Sequence, residues 1–160
     1  MRYEWRDYTT EDAACVNGWM DDEAVYYTGC DDGWDDYITY MMQESYVRPG
    51  CNFWCKLITN GNEPMAAAAL YLSEEQELCI SELVVAPQVR GSGHGRALLR
   101  ELLDNTKTIL GCDIKGASAV IFPSNLASIR AFSGAGFSMT HAHPDGDALY
   151  YRYDIPKTEL

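Results

Sequence analysis

The sequence contains no Cys-x-x-Cys pair and no apolar run near the roughly 18 residues a membrane span needs, and its 12 basic residues are half its 24 acidic ones. Each shortage excludes a class of function. The six cysteines, at 15, 30, 51, 55, 79 and 112, have neither the spacing nor the neighbouring histidines of paired zinc knuckles. Several alternate with apolar residues, as in "CNFWCKL" and "ELCISEL", and are read as reduced, structural thiols. A net charge of −12 argues against nucleic acid or anionic membrane as the main partner. The opening "MRYEWRDYTT" carries charges where a signal peptide has its apolar centre, so a soluble, cytoplasmic protein is expected. Repeats, low-complexity tracts and linkers are missing too. With 160 residues, 47% of them hydrophobic, residues 1–160 are read as one domain with one filled core.

Half of the acids precede residue 50, grouped as Asp21, Asp22, Glu23 and Asp31, Asp32, Asp35, Asp36. They form either a solubilising face with helix N-terminal charges or a rim that attracts a cationic substrate. "YEWRDY" alternates as a short strand, and "TTED" offers Thr9 and Asp12 as a near capping box. A helix through Val16, Trp19 and Met20 should follow, then a second over "CDDGWDDYITYMMQE", opened by capping acids. "CNFWCKLI", the turn "TNGNEP" and "MAAAALYL" read as a hairpin, and "LCISELVV" as the next strand. A helix with Leu98, Leu99, Leu102, Leu103 and Ile109 on one face follows, ended by Gly111. "ASAVIF" is a buried strand, "SNLASIRAFSGAGF" a helix with Ser124 as its expected cap, and "SMTHAH", "PDGD" and "ALYYRYDI" a closing hairpin. The order β-α-α-β-β-β-α-β-α-β-β predicts a mixed α/β fold, one sheet covered by helices.

"LVVAPQVRGSGHGRALLRELL" (83–103) places Gly91, Gly93 and Gly95 where a strand hands over to a helix. Free first-turn N–H groups, the helix dipole and close backbone approach make such a loop an anion site, fit for a phosphate or pyrophosphate. A dinucleotide fingerprint fails because its third glycine position holds Arg96, with no acid about 20 residues on. The Gly-Lys-Ser/Thr of a Walker loop is absent. What matches is Arg90-Gly91-Ser92-Gly93-His94-Gly95, preceded by "LVVAP" and followed by Leu98-Leu99. This resembles the acetyl-CoA loop of the GNAT superfamily of N-acetyltransferases. Asn125, Ser128, Phe132 and Gly136-Phe137 fit that superfamily's later signature. The resemblance covers essentially the whole chain.

The resemblance implies a mostly antiparallel central sheet with one splayed parallel pair, flanked by about four helices. Leu83, Val84 and Val85 would bond the pantetheine arm of acetyl-CoA as an added strand does. Amides from Arg90 through Gly91, Ser92, Gly93, His94 and Gly95 to Arg96 would hold the pyrophosphate, and Asn125 would meet the cofactor across the splay. Arg90 and Arg96 either add charge there or are solvated helix-start residues. A primary amine attacks the thioester directly, and Glu82 is the candidate base that takes its proton. Many members carry a tyrosine, as acid for the departing thiolate, where this chain has Phe132; Ser133, Ser128 or water would replace it. His141 and His143 share a strand face, but no third metal ligand is evident, so no metal is expected.

The N-terminal helices should line the acceptor side, and their acids predict a basic or polyamine-like acceptor, a small molecule or a peptide amine. A non-catalytic acyl-CoA-binding or sensing module, and an O-acyl or longer-acyl transferase, use the same loop and stay open. Dimers are common in the superfamily, and "LYYRY" is either a dimer surface or core.

Overall fold

The structure, a computed structural model, describes residues 3–45 and 50–156. The chain runs β1 (Tyr3–Asp7), a 3₁₀ turn at Thr10–Asp12, α1 (Ala13–Asn17), α2 (Asp22–Thr28) and α3 (Trp34–Tyr40). Strands β2 (Asn52–Asn60), β3 (Glu63–Leu72) and β4 (Glu77–Val85) follow, then α4 (His94–Asp104) and α5 (Thr106–Leu110). It closes with β5 (Gly116–Ile121), α6 (Leu126–Gly134), β6 (Ser138–Ala142) and β7 (Leu149–Asp154). Among the described residues one seven-stranded sheet is ordered β1-β2-β3-β4-β5-β7-β6. Every neighbouring pair is antiparallel except the parallel β4–β5. The expected mixed α/β architecture is present.

Two apolar clusters lie on opposite faces of the sheet. On one face Leu98, Leu99, Leu102 and Leu103 of α4 and Phe132 of α6 pack on Ile58, Ala66, Ala68, Leu70, Leu78 and Ile80. On the other, Val16 of α1 and Trp34 and Ile38 of α3 pack on Leu57, Ala67, Ala69 and Val84. The alanine run of β3 serves both faces by strict alternation, and its small side chains leave room for helices on each side. Burying each leucine of α4 contributes roughly 1.5–3 kcal/mol, which docks the helix and with it the glycine loop at its start.

Several local expectations are corrected. The N-terminal region forms three short helices rather than two, and the long leucine helix breaks at Asn105 into α4 and α5. The acids before α3 do not cap it: Gly33 is its N-cap, and the Asn17 side chain accepts from the Trp34 N–H at 2.8 Å. Asn125, not Ser124, caps α6, accepting from the Ser128 N–H at 3.3 Å.

What positions the site is an irregularity in β4. Ala69 stands opposite Glu82 but Leu70 opposite Ile80, so Ser81 is an extra residue. Leu78 and Ile80 therefore face the α4 cluster, while beyond the bulge Val84 faces the α1–α3 cluster and takes Glu82 with it. The pairing of β4 with β5 stops there too, its register covering only Glu77–Cys79 against Gly116–Ser118. Past that point the two parallel strands diverge. At the closed end, Arg152 of β7 reaches across Gly116 to Glu77 with two 3.0 Å bonds. A Cβ on Gly116 would lie 2.5 Å from that guanidinium.

Candidate active site

The diverging strands open a cavity of about 850 Å³, walled by Ile80–Val85, Ala119–Phe122, the glycine loop, the inner side of α6 and helix α2. Gly91 and Gly93 hold φ of 79° and 82°, the left-handed region that L side chains rarely enter. The first helical bond of α4 is from Ala97 N–H to Gly93 O, at 3.1 Å. From Gly91 to Arg96 no backbone N–H has an acceptor among the described residues. Six consecutive free donors at the start of an eleven-residue helix form a concave anion cradle. Gly95 serves another purpose: its ideal Cβ would stand 3.4 Å from that of Ala131, so its absence permits close packing of α4 on α6.

Of the residues expected at the cofactor, Leu83, Val84, Val85, Arg90, Gly91, Gly93, His94, Gly95, Arg96 and Asn125 all line this cavity. Ser92 does not, although its amide is free. The His94 Nδ1 meets the Tyr3 hydroxyl at 2.7 Å, which fixes the ring at the loop. The Arg90 amide departs from expectation, being bonded to Pro87 O at 3.3 Å. The Arg90 side chain is likewise engaged with protein, bonding Val85 O, Trp19 O and the Asp21 carboxylate. Asp21 is held below the usual carboxylate range first by the Ala24 N–H, then by Arg90.

Glu82 lines the cavity, partly buried, on the side turned towards α1–α3. Burial pushes its carboxyl well above the ordinary carboxylate range. No described side chain neutralises it. A carboxylate that holds its proton more tightly is a stronger base near neutral pH, and it stands where the strands part.

Ser133 is not brought to the site. One residue after Phe132 on a helix it points about 100° away, exposed, while Phe132 reaches the cavity and packs edge-on against Phe137 at 4.9 Å. Ser128, one turn before Phe132, does line the cavity.

Sequence reasoning passed over an aromatic corner. Tyr26 and Tyr27 of α2 lie 5.7 and 5.9 Å from Phe122 and 5.1 Å from each other, and the Tyr27 hydroxyl shares a 3.0 Å hydrogen bond with Ser124. Two adjacent tyrosines on one helix, which cannot both face a core, were the available signal. The cavity lining carries both signs of charge: Arg90, Arg96 and Arg130, and Glu23 and Glu82. His141 and His143 part company. His141 stacks on Tyr150 at 4.3 Å, while His143 groups with Asp145 and Asp147 in the hairpin turn, ligand atoms within 4.8 Å of one another. No helix among the described residues is long and apolar enough to cross a membrane.

Residues 7–137 match the model of the acetyltransferase (GNAT) family. No curated protein sequence matches the chain. Its fold is shared with solved structures of low identity. An aminoglycoside acetyltransferase, AAC(6')-Ib, in complex with ribostamycin and coenzyme A, is 21% identical over 95% of this chain and 93% of that one, with a TM-score of 0.72. Spermidine N-acetyltransferase from Vibrio cholerae, with CoA and spermine, is 12% identical over 96% and 95%, at 0.69. The ribosomal-protein-S18-alanine N-acetyltransferase from Escherichia coli is 17% identical over 99% and 97%, at 0.65.

Proposed function

The chain belongs to the GNAT acetyltransferase family, and from that premise we propose that it moves an acetyl group from acetyl-CoA to a primary amine of a cationic acceptor. The observation that carries the reading is the run of amides from Gly91 to Arg96 left free by the described residues, placed at the end of a splayed strand pair that also holds a partly buried carboxylate with no described cation beside it. The amides receive the diphosphate, and the unpaired edges of β4 and β5 receive the pantetheine between them. Asn125 lines the cavity with its amide nitrogen left over after its oxygen has capped α6.

The acceptor reaches the thioester from the side of α2 and Glu82. A free alkylamine, with a pKa about 10.4, arrives protonated, and Glu82 accepts its proton directly or through water. The amine nitrogen bonds the carbonyl carbon, the carbon–sulfur bond breaks, the thiolate leaves, and the second proton that nitrogen sheds as the amide forms passes to the sulfur. With a thiol pKa about 8.5 that departure is tolerable without an acid, and Ser128 is the hydroxyl on α6 able to relay a proton to sulfur. Glu23, Glu82 and the aromatic corner give the acceptor end the character that suits an ammonium. The acetyl acceptors named for two neighbours, an aminoglycoside and spermidine, are polycations, which supports the same class.

Phe132, which has no proton to give, favours one alternative, a module that binds acyl-CoA without turning it over. One experiment separates the two: calorimetric titration with CoA, then thiol release from acetyl-CoA on adding spermine, kanamycin, a lysine peptide or glutamate. Binding with turnover of the cationic amines is expected. Tight binding without thiol release would leave only the binding module, and absence of CoA binding would remove both.

A further inference from the structure

Short helices usually stay in place by burying a face; α2 has no fully buried residue among its seven. Its polar anchors lie at its two ends. At the C-terminal end Tyr27 bonds Ser124, with the Tyr26 and Tyr27 rings against Phe122. At the N-terminal end one oxygen of Asp21 accepts from the Ala24 N–H at 2.9 Å, capping the helix. The other accepts from Arg90 Nη1 at 2.7 Å. The same guanidinium donates from Nε to Val85 O at 2.9 Å and from Nη2 to Trp19 O at 3.2 Å. All three of its nitrogens have protein acceptors. They tie together the end of β4, the turn before α2 and the head of the glycine loop.

We propose that Asp21 and Arg90 are positioning residues that seat α2, so that acceptor recognition depends on this clamp while affinity for CoA does not. The proposal rests on the reading that α2 faces the acceptor. The arginine that the loop pattern offers to a phosphate is spent on the opposite wall, and the loop's six free amides hold the diphosphate without it. Asp21 and Arg90 are partly exposed, at 49% and 33%, so the pair contributes modestly to stability and is weakened by salt. Its leverage is geometric: α2 brings Glu23, Tyr26 and Tyr27 to the cavity, and a shift of that wall is felt in how tightly the amine is held.

Three variants test this: Asp21→Ser, Arg90→Gln and Arg90→Lys. Serine keeps a capping oxygen for α2 but cannot pair with the guanidinium. Asp21→Ser and Arg90→Gln should each raise KM about three- to tenfold for whichever panel amine is turned over fastest, with kcat within about twofold. A general loss of structure would instead lower kcat for every amine alike. Arg90→Lys retains the charge but not the three-way geometry and should fall between. CoA affinity by calorimetry should stay within about twofold in all three. Arg90→Gln binding CoA about tenfold more weakly, with Asp21→Ser unchanged, would put the guanidinium on the phosphates and overturn the proposal. An unaltered acceptor KM in Asp21→Ser would overturn it too. Should no panel amine react, acetyl transfer fails on its own account, and hydrogen exchange of the CoA complex decides. The amides of Val25 and Gly29, bonded within α2, should exchange at least about threefold faster in Arg90→Gln, and equal rates would refute the clamp.

Discussion

Glu82 is a carboxyl group drawn partly out of water with no described cation to offset it. Its pKa is higher in the folded chain than in the unfolded one, so between those two values the native state holds the extra proton. Stability from this group therefore falls as pH rises through that window. Glu82→Gln removes the cost. Its melting temperature should exceed the wild-type value near pH 8, and the difference should fade towards the unfolded carboxylate value of about 4.3, where both side chains are neutral. The same variant should lose about 10²–10⁴ in kcat while keeping its CoA affinity. The wild-type kcat/KM should rise with pH along a limb set above the ordinary carboxylate range. Full activity in Glu82→Gln would move the base elsewhere. The type and position of this residue were legible in the sequence, but its direction was not. Simple alternation puts Glu82 on the face of Leu78 and Ile80, and only the pairing of Ala69 and Leu70 across β3 reveals the extra residue that turns it over. Ser133 failed for a related reason: adjacency in a helix is a turn of about 100°, so the neighbour of a cavity residue looks elsewhere.

Elements whose signals are local were readable, and those decided at long range were not. The Thr9–Asp12 capping box lies within four residues and forms as expected, as does the left-handed Gly111 that ends α5. The cap of α3 comes from Asn17 in another helix, which no window over 31–36 could show. At the glycine loop, Gly93→Ala would force a Cβ into φ near 82°, with no atom close enough to clash, so the penalty is backbone strain alone. It should lower unfolding stability by about 1–2 kcal/mol and weaken CoA binding as the cradle shifts. Denaturant midpoints and calorimetry read the two effects separately, and unchanged CoA affinity would detach the loop from the cofactor. Gly116 presents the opposite case. Its conformation is ordinary, but an added Cβ would strike both partners of the Arg152–Glu77 pair that bolts β4, β5 and β7 together. Gly116→Ala and Arg152→Ala should each lower the melting temperature, and the double variant should be no worse than the poorer single one, because both remove the same interaction. Additive losses would mean that the pair does not hold the closed end of the splay.

At the scale of the whole molecule, the proposed function requires a charge of −12 to admit two substrates of opposite sign. The sequence revealed the excess of acid but not its distribution over the fold, since only the chain's path brings Glu23, Glu82, Arg96 and Arg130 to the lining of one cavity. The consequence is a difference in range. The amides and helix dipole proposed to hold the diphosphate act over a few ångströms, whereas repulsion by the net charge is felt at longer distance and is screened over about 10 Å at 0.1 M salt. An anionic cofactor is thus repelled before it is bound, and a cationic amine is drawn in throughout. Raising salt from about 0.02 M to 0.2 M should therefore speed CoA association, followed by stopped-flow fluorescence of the tryptophans, and lower kcat/KM for the amine. Slowing of both by salt would mean that the arginines at the cofactor end, not the net charge, steer CoA. Indifference of the amine to salt would mean that the acids before residue 50 serve solubility and do not attract the acceptor.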